Sequence, residues 1–238
     1  MDLSVVIPVH NEEESIGNLI NEIVVALSEK YQYEIVVVDD GSADQTLDTL
    51  LEIKQELTVL RVIKHLKNSG QSTAVRTGVQ YAKSSWIATL DGDGQNDPAD
   101  IPNLYNELVN QDLDPWLVVA GYRKKRKDTW LKRTSSKYAN GIRDKLLRDG
   151  TPDTGCGLKV FSRDSFLALP YFDHMHRYIP ALFQRQGGRV VSIEVNHRHR
   201  MLGTSKYGFH NRLWVGIVDI LGVRWLQNRA RLTKTQEL

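Results

Sequence analysis

The chain opens with Leu3-Ser4-Val5-Val6-Ile7-Pro8-Val9-His10-Asn11-Glu12-Glu13-Glu14, a stretch that changes from apolar to acidic within a few residues. Leu3 to Pro8 is a short apolar run and predicts a buried strand that begins almost at the first residue. Asn11 followed by Glu14 resembles a capping box and predicts a helix through about Ser28. The opening segment therefore predicts a strand, an acidic loop and a helix in succession.

The same alternation continues through the first half of the chain. One helix is predicted from Ser42 to about Glu56. Another is predicted to begin with Asp97 as N-cap and Pro98 in the first turn, and to end at about Asn110. Strands that alternate with helices predict an α/β fold with a mostly parallel sheet, which binds ligands beyond the carboxyl ends of its strands. The other predicted strands are rich in Val, Ile and Leu and lie at Glu34 to Val38, Val59 to Ile63, Trp86 to Leu90 and Trp116 to Ala120.

The second half is less regular, and it contains no internal repeat or linker. We therefore predict one domain over residues 1–208, followed by a C-terminal amphipathic helix and polar tail over residues 209–238. The elements predicted in this half are a helix from Trp130 to Leu147, strands at Leu158 to Phe161 and Arg189 to Val195, and a mostly apolar helix from Leu213 to Leu226.

Composition limits the class of protein. The 238 residues carry a formal net charge of +2 and are 41% hydrophobic, as in an ordinary globular protein with enough apolar material for a core. The single cysteine, Cys156, excludes an intrachain disulfide and fits a reducing compartment. The N-terminus lacks the features of a signal peptide, and no apolar run is long enough to span a membrane. These observations predict a cytoplasmic protein.

Three acidic clusters follow predicted strands, at Pro8 to Glu14, Asp39 to Ser42 and Asp91 to Gln95. Any one of them alone is typical of a solvated turn. Carboxylates gathered at one edge of a sheet repel each other, however, and require a compensating cation or ligand. One or two carboxylates plus substrate phosphates are the usual ligands of Mg²⁺. The sequence has no P-loop, complete dinucleotide fingerprint, zinc-protease helix or Gly-x-Ser-x-Gly, which disfavours a hydrolase or NAD enzyme.

The order of these motifs resembles the family 2 glycosyltransferases of GT-A fold, especially the dolichol-phosphate mannose synthase group and its bacterial polyprenyl-phosphate relatives. The resemblance covers about residues 3–207. The segments that carry it are Val6 to Glu13, similar to the opening strand and donor loop; Val38 to Ser42, the nucleoside-binding segment; Gly70 to Gly78, the helix beneath the donor; Asp91 to Gln95, the metal-binding motif; Gly121 to Arg123, a donor-phosphate contact; and His197 to Tyr207, a loop whose Arg and Lys reach phosphate.

The resemblance implies a Rossmann-like GT-A fold and an inverting, metal-dependent hexosyltransferase that moves a sugar from a GDP- or UDP-sugar to a polyprenyl phosphate. Asp93 and Gln95, with Asp91, would hold Mg²⁺ or Mn²⁺ on the diphosphate and stabilise the leaving nucleotide. Arg200 and Lys206 would grip phosphate and act with Asp93 in catalysis. The implied donor-binding residues are Pro8, His10 (where the family usually has Tyr or Phe), Glu12, Val38, Asp40, Asp91, Gly92 and Arg123.

Asp153 begins a further segment, Asp153 to Lys159, that matches the family near the acceptor. A carbohydrate hydroxyl acceptor would need Asp153 as a general base. A lipid monophosphate is already anionic near neutral pH, because its second pKa is about 6, so Asp153 would instead order the loop or bind a sugar hydroxyl. Both interpretations stay open at this stage. Cys156 is predicted to be a packed residue rather than a nucleophile.

Two features suggest contact with a membrane. The basic run Arg123 to Lys127, with Lys132 and Arg133, is either a solvated face or a surface that attracts anionic headgroups at about 1 kcal/mol per residue. No aromatic platform accompanies it, so nucleic acid is not expected as a partner. Leu213 to Leu226 is too charged to span and is predicted either to lie in the interface or to pack on the core. We expect peripheral association with the inner face of the membrane, and leave a membrane-protein partner or a homo-oligomer open.

Three alternatives remain beside transfer to a polyprenyl phosphate. The first is transfer to a carbohydrate hydroxyl by the same family. The second is a nucleotidyltransferase, which would carry a Gly/Arg/Lys phosphate signature after the first strand that Pro8 to Glu14 lacks. The third is a catalytically silent, membrane-associated binding subunit, which the complete set of acidic and basic motif residues disfavours.

Overall fold

The structure, a computed structural model, describes residues 1–123, 146–198 and 209–233, with the backbone only for 209–214. Its centre is a seven-stranded sheet in the order β3-β2-β1-β4-β6-β5-β7. β6 is antiparallel to both of its neighbours, whereas the other paired strands run parallel. The predicted α/β fold with a mostly parallel sheet is confirmed. The strands are β1 Leu3–Val9, β2 Tyr33–Asp39, β3 Leu60–Lys64, β4 Trp86–Thr89, β5 Leu117–Tyr122, β6 Lys159–Ser162 and β7 Arg189–Glu194.

All seven strands lie within two residues of their predicted bounds, but the first two helices begin four or five residues later than predicted. The helix predicted from Trp130 falls almost wholly outside the described residues. The described helices are α1 Ile16–Leu27, α2 Thr46–Glu56, α3 Gln71–Tyr81, α4 Ile101–Asn110, α5 Arg163–Leu167, α6 Ile179–Arg185 and α7 Phe209–Arg229, with short 3-10 turns at Pro98–Asp100 and Met175–Arg177.

The sheet separates two apolar cores, because successive side chains of a strand point to opposite faces. In β1, Val5 and Ile7 belong to the core that includes residues of α1 and α4, whereas Val6 belongs to the core that includes residues of α3, α5 and α6. All seven residues of β1 are buried. A strand covered on both faces reads as a continuous apolar run, which explains why β1 could be found in the sequence.

Helix α3 packs unusually close to the sheet. A Cβ at Gly78 would overlap the side chain of Val6 and lie 3.2 Å from Cγ2 of Val38. Ala74, one turn earlier on the same face, is fully buried. Small residues spaced four apart therefore allow α3 to lie directly against β1 and β2. This close packing determines where the N-terminus of α3 lies relative to the carboxyl ends of the strands.

A buried carboxylate, Glu34, stabilises the amino ends of the central strands, on the side of the sheet away from the acidic loops. Glu34 accepts hydrogen bonds from Ser4 Oγ at 2.6 Å, Lys83 N at 2.5 Å and Arg61 Nη1 at 2.7 Å. Burial acts to raise the pKa of Glu34, but these donors outweigh it and lower the pKa below its usual value. The network ties β2, β3 and the loop before β4 together.

The C-terminal helix α7 packs on the domain through one side. Val223 is 1% exposed and lies in the second core, and Arg185 Nε donates to the carbonyl of Leu226 at 3.0 Å. His174 Nδ1 lies 3.1 Å from Oδ2 of Asp219. None of the helices in the described part of the chain is long and apolar enough to cross a membrane.

Candidate active site

The acidic clusters meet at the carboxyl edge of the sheet, as predicted. Neighbouring parallel strands bring the loops after β1, β2 and β4 together, with Asp40 N donating to the carbonyl of Val9 at 2.8 Å. The loops after β1 and β2 are also joined directly. Asn11 N donates to Ser42 Oγ at 2.9 Å, and Ala43 N donates to Asn11 Oδ1 at 2.7 Å. Pro8, Glu12, Val38 and Asp40 therefore lie in one corner of the fold.

Asn11 also explains why α1 begins late. Its φ of 53° is left-handed, and it turns the chain before Ser15, the residue that precedes the helix. The side chain that was predicted to cap the helix is hydrogen-bonded to Ala43 instead. The capping-box prediction was wrong, because Asn11 stabilises the junction of two loops.

Asp40 has structural partners that the sequence did not reveal. Its carboxylate accepts from Ser69 N at 2.9 Å and Gly70 N at 2.8 Å, and His65 Nδ1 lies 2.7 Å away. The Asp40 carboxylate is 5% exposed. Asp40 therefore fixes the loop that leads into α3. Its predicted contact with the nucleoside stays a prediction.

His10 is held by the same corner. Its Nδ1 lies 3.0 Å from the carbonyl oxygen of Asp40. A carbonyl only accepts hydrogen bonds, so Nδ1 carries the proton. The imidazole is thereby oriented within this corner, and its predicted contact with the donor stays a prediction.

The Asp91 to Gln95 turn follows β4 directly. Asp93 Oδ1 accepts from Gln95 N at 3.1 Å, and Asp91 Oδ1 accepts from Gln71 Nε2, at the start of α3, at 2.8 Å. A Cβ at Gly92 would lie 2.6 Å from Cγ1 of Val9, so the turn rests on β1. Burial, followed by repulsion from Asp93, raises the pKa of Asp91 to about 6.

This turn fits a divalent cation bound together with a ligand. Asp91 and Asp93 repel each other, which a cation would offset, and carboxylate and amide oxygens suit Mg²⁺ or Mn²⁺. Over the described ranges, no group of three or more His, Cys, Asp or Glu side chains could hold a metal ion by itself. The protein would thus supply a few oxygens from Asp93, Gln95 and Asp91, and a diphosphate would supply others.

The antiparallel pairing of β4 with β6 places a second loop against this turn. Thr89 pairs with Lys159, and the same register carried two residues further sets Asp91 opposite Gly157. Thr89 Oγ1 donates to the carbonyl of Gly157 at 2.7 Å. A Cβ at Gly157 would overlap the Asp91 carboxylate. Only glycine leaves room for Asp91 at this position.

Arg123 and Asp153 form a buried ion pair. Arg123 Nε and Nη2 donate to Asp153 Oδ2 at 2.6 Å and Oδ1 at 2.9 Å, and the two side chains are 12% and 8% exposed. Burial acts to lower the pKa of Arg123, but the hydrogen bonds and charge of Asp153 outweigh it and raise the pKa. The sequence placed both residues near the substrates without predicting that they pair. Asp153 joins the end of β5 to the loop before β6.

A cavity of about 400 Å³ lies beside the turn, and two of its residues were missed by the sequence analysis. His176 and Arg177, from the 3-10 turn, line it together with Lys159 and Asp91. His176 Nδ1 lies 2.7 Å from Oγ of the buried Ser72, and burial lowers the pKa of His176 well below its usual value. In the sequence, the adjacent basic residues His176 and Arg177 were a possible sign of this part of the site. They lie in an irregular segment without the periodicity of a helix or a strand.

Lys159 was within a recognised segment but had no assigned role. Its side chain is buried, its Nζ donates to the carbonyl of Cys156, and burial lowers its pKa. Cys156 is fully buried, and burial raises the pKa of its thiol, as expected for a packed residue. Arg200 and Lys206 lie outside the described residues, so their predicted phosphate contacts stay predictions.

Comparisons with known proteins agree with this architecture. The family described as Glycosyl transferase family 2 matches residues 4–169. A dodecaprenyl-phosphate galacturonate synthase of Rhizobium johnstonii is 36% identical over 97% of this chain and 69% of its own length. An undecaprenyl-phosphate 4-deoxy-4-formamido-L-arabinose transferase of Edwardsiella ictaluri is 36% identical over 87% of this chain and 63% of its own length. The chain thus spans roughly two thirds of these relatives.

Solved structures show the same fold. Glucosyl-3-phosphoglycerate synthase from Mycobacterium tuberculosis, in complex with Mn²⁺, UDP and glucosyl-3-phosphoglycerate, has a TM-score of 0.68 at 16% identity, covering 98% of this chain and 81% of that one. Its complex with Mg²⁺ and UDP gives a TM-score of 0.68, also at 16% identity and over 98% of this chain and 80% of that one. Given the arrangement of the sheet, the acidic turn after β4 and the match over most of its length, the chain belongs to glycosyl transferase family 2.

Proposed function

We propose that the chain transfers a sugar from a nucleotide diphosphate sugar to a polyprenyl phosphate, with inversion at the anomeric carbon. The observation that carries this proposal is the Asp91 to Gln95 turn, which lies between the joined loops after β1 and β2 and the Asp153 to Gly157 loop. The relatives from Rhizobium johnstonii and Edwardsiella ictaluri are both polyprenyl-phosphate sugar transferases by name. Those names support a lipid phosphate acceptor and leave the sugar open.

On the donor side, Asp93 and Gln95, with Asp91, would hold Mg²⁺ or Mn²⁺ against the diphosphate. A bound cation would neutralise the charge that develops on the leaving nucleotide. The loops around Pro8, His10, Glu12, Val38 and Asp40 would hold the nucleoside, with Gly92 and Arg123 closer to the phosphates. UDP and either Mn²⁺ or Mg²⁺ are bound in the structural neighbours, which supports a divalent cofactor of this kind.

On the acceptor side, the Arg123–Asp153 pair supports an acceptor that is already anionic. A general base needs a carboxylate that is available to take a proton. Both oxygens of Asp153 accept hydrogen bonds from Arg123, and its charge is balanced by that guanidinium. A phosphate monoester needs no base near neutral pH, because its second pKa is about 6. Asp153 would instead position the loop, while Arg200 and Lys206 would bind the acceptor phosphate.

The direct test is a panel of GDP- and UDP-sugars incubated with the purified protein, Mg²⁺ or Mn²⁺ and a polyprenyl phosphate, with radiolabelled lipid as the readout. We expect one or a few donors to give a lipid-linked product, and the matching polyprenol to give none. Arg200→Ala and Lys206→Ala should each reduce turnover strongly, by about 100-fold or more if each stabilises charge in the transition state. Equal transfer to phosphate and free alcohol would contradict the proposed acceptor.

We also propose that α7 contacts the membrane that holds this acceptor. Val218, Leu221 and Trp225 are 66%, 58% and 59% exposed on the side of α7 away from the core. An apolar face with a Trp, beside basic residues, suits the interface between lipid headgroups and acyl chains. In liposome flotation, binding should require anionic lipid and weaken with salt, and Leu221→Glu should reduce it. Recovery that is independent of lipid charge, salt and this substitution would contradict the membrane contact.

A further inference from the structure

The two carboxylates of the acidic turn are held in different ways. Asp93 is held within the turn, because its Oδ1 accepts a hydrogen bond from Gln95 N at 3.1 Å. Asp91 is faced by Gly157, which has no side chain that could donate to it. The turn also contains Gly94, whose φ of 69° is left-handed and whose missing Cβ would meet no atom within 4 Å. The orientation of Asp91 therefore depends on a donor from elsewhere in the fold.

Gln71, the first residue of α3, supplies that donor. Its Nε2 lies 2.8 Å from Oδ1 of Asp91, which is 20 residues away in the chain. An ionised carboxylate only accepts hydrogen bonds, so the amide nitrogen and not the amide oxygen faces it. Among the residues that the structure describes, this is the one hydrogen bond that the Asp91 side chain receives. The contact thus joins the acidic turn to the N-terminus of α3.

The backbone on both sides of Gln71 is fixed. The two residues before it donate their N–H groups to the buried carboxylate of Asp40, at 2.9 and 2.8 Å. The residue after it, Ser72, is 1% exposed, and its Oγ lies 2.7 Å from Nδ1 of His176. Gln71 therefore starts from a defined point, and the Asp91 carboxylate is held by a rigid part of the fold.

An amide is a suitable donor here because it orients a carboxylate without cancelling its charge. Lys159 and Arg123 are the cations that act electrostatically on Asp91, but both are bound elsewhere. The Lys159 ammonium donates to a backbone carbonyl, and Arg123 pairs with Asp153. Carboxylates that bind metals are commonly held by such hydrogen bonds, and one bond to Oδ1 leaves other lone pairs of Asp91 for a cation.

Resting on the proposed function, we propose that Gln71 is a positioning residue for the divalent cation. It holds Asp91 in the orientation in which this carboxylate receives Mg²⁺ or Mn²⁺ together with the donor diphosphate. Gln71 acts through Asp91 and is not itself a ligand of the cation. Because Asp40 anchors the same end of α3, the corner expected to hold the nucleoside and the turn expected to hold the cation are joined at one helix terminus.

The experiment is calorimetric titration of the purified protein with Mn²⁺·UDP and with Mn²⁺·GDP, repeated for each nucleotide in the presence of a chelator. Gln71→Met keeps the length of the side chain and removes the donor. We expect it to weaken binding of the Mn²⁺-bound nucleotide by about 10- to 100-fold, as is typical for the loss of a group that holds a metal ligand. Affinity for the metal-free nucleotide should be nearly the same as in the wild type. Gln80→Met, at an exposed position of the same helix, is the matched control.

The remaining outcomes separate this inference from the proposed function. Unchanged affinity of Gln71→Met for the Mn²⁺-bound nucleotide overturns the inference and leaves the proposed function standing. An equal loss with and without metal also overturns it, because Gln71 would then support the nucleoside corner rather than the cation. If the wild type binds neither Mn²⁺·UDP nor Mn²⁺·GDP, the donor side of the proposed function fails.

A second variant guards against a folding defect that is specific to methionine. Gln71→Asn keeps the amide, but its shorter side chain cannot reach Asp91, so it should lose affinity for the Mn²⁺-bound nucleotide in the same way. Thermal unfolding of both variants without metal, beside Gln80→Met, establishes that they fold. A Gln71→Asn protein that binds Mn²⁺-bound nucleotide like the wild type contradicts the positioning role.

Discussion

The Arg123–Asp153 pair allows the two roles proposed for Asp153 to be separated. Asp153→Ala would leave the Arg123 guanidinium, 12% exposed, without its partner. Loss of one member of a buried pair costs about 3–5 kcal/mol of unfolding free energy. Asp153→Asn keeps the shape and one acceptor oxygen but loses the charge, so we expect a smaller cost of about 1.5–3 kcal/mol, that of one charge-assisted hydrogen bond.

We expect the activity of the Asp153 variants to fall only as far as each variant destabilises the fold, and not as far as the loss of a general base would require. If Asp153 positions the loop, Asp153→Asn should reduce kcat less than the 10²- to 10⁴-fold expected for loss of a general base. The assay is urea unfolding beside initial rates with polyprenyl phosphate, for Asp153→Asn, Asp153→Ala, Arg123→Ala and the double variant. The double variant should be less destabilised than the sum of the single alanine variants, by about 0.5–3 kcal/mol.

An exposed ion pair provides the matched control. Arg189 Nη2 lies 3.1 Å from Asp114 Oδ2, but the side chains are 57% and 30% exposed. Asp114→Asn should therefore cost no more than about 1 kcal/mol. The reasoning is refuted if Asp153→Asn unfolds like wild type while its kcat falls at least 100-fold. Asp153 would then be a base, and a hydroxyl acceptor would return as the leading interpretation.

Three further predictions concern the metal, pH and packing. Asp93→Ala should abolish turnover and Mn²⁺-dependent donor binding while preserving the fold; activity that survives both this change and a chelator would remove the metal assignment. The pKa of Glu34 is lowered in the folded state, so the unfolding free energy should fall as pH drops below the ordinary glutamate pKa of about 4.3. In acid titrations, the unfolding free energy of Glu34→Gln should depend less on pH than that of the wild type. Gly78→Ala should destabilise the fold by about 1–3 kcal/mol, because the added Cβ overlaps Val6. Gly222→Ala, where a Cβ meets no atom within 4 Å, should instead stabilise α7 slightly in thermal unfolding. Equal effects of the two substitutions would contradict the close packing of α3.

The central strands β1, β2 and β5 were predictable because they are buried on both faces and leave continuous apolar runs. The start of α1 was not, because Asn11 is hydrogen-bonded to Ala43, 32 residues away. A local capping pattern contains no information about such a partner. The direction of β6 was also hidden, since it depends on pairing with β4 and β5 rather than on its own composition.

The candidate site was predictable where its residues follow strands. Asp40, Asp91 and Asp93 lie at the expected edge, because parallel order alone brings them there. Their partners were not predictable, since Gly157 opposes Asp91 only through the register of β4 and β6. Arg177 was missed for the same reason, because it lines a cavity shared with segments distant in the chain.

The reversed direction of β6 limits how this enzyme can change over evolution. Side chains alternate between faces along a strand, so one residue inserted between Gly157 and Ser162 would turn Lys159 to the opposite side of the sheet. It would also remove the glycine that faces Asp91. Homologues that keep the acidic turn should therefore diverge here by substitution and not by insertion or deletion. Efforts to redesign this edge of the site should likewise exchange side chains in this strand while keeping its length constant.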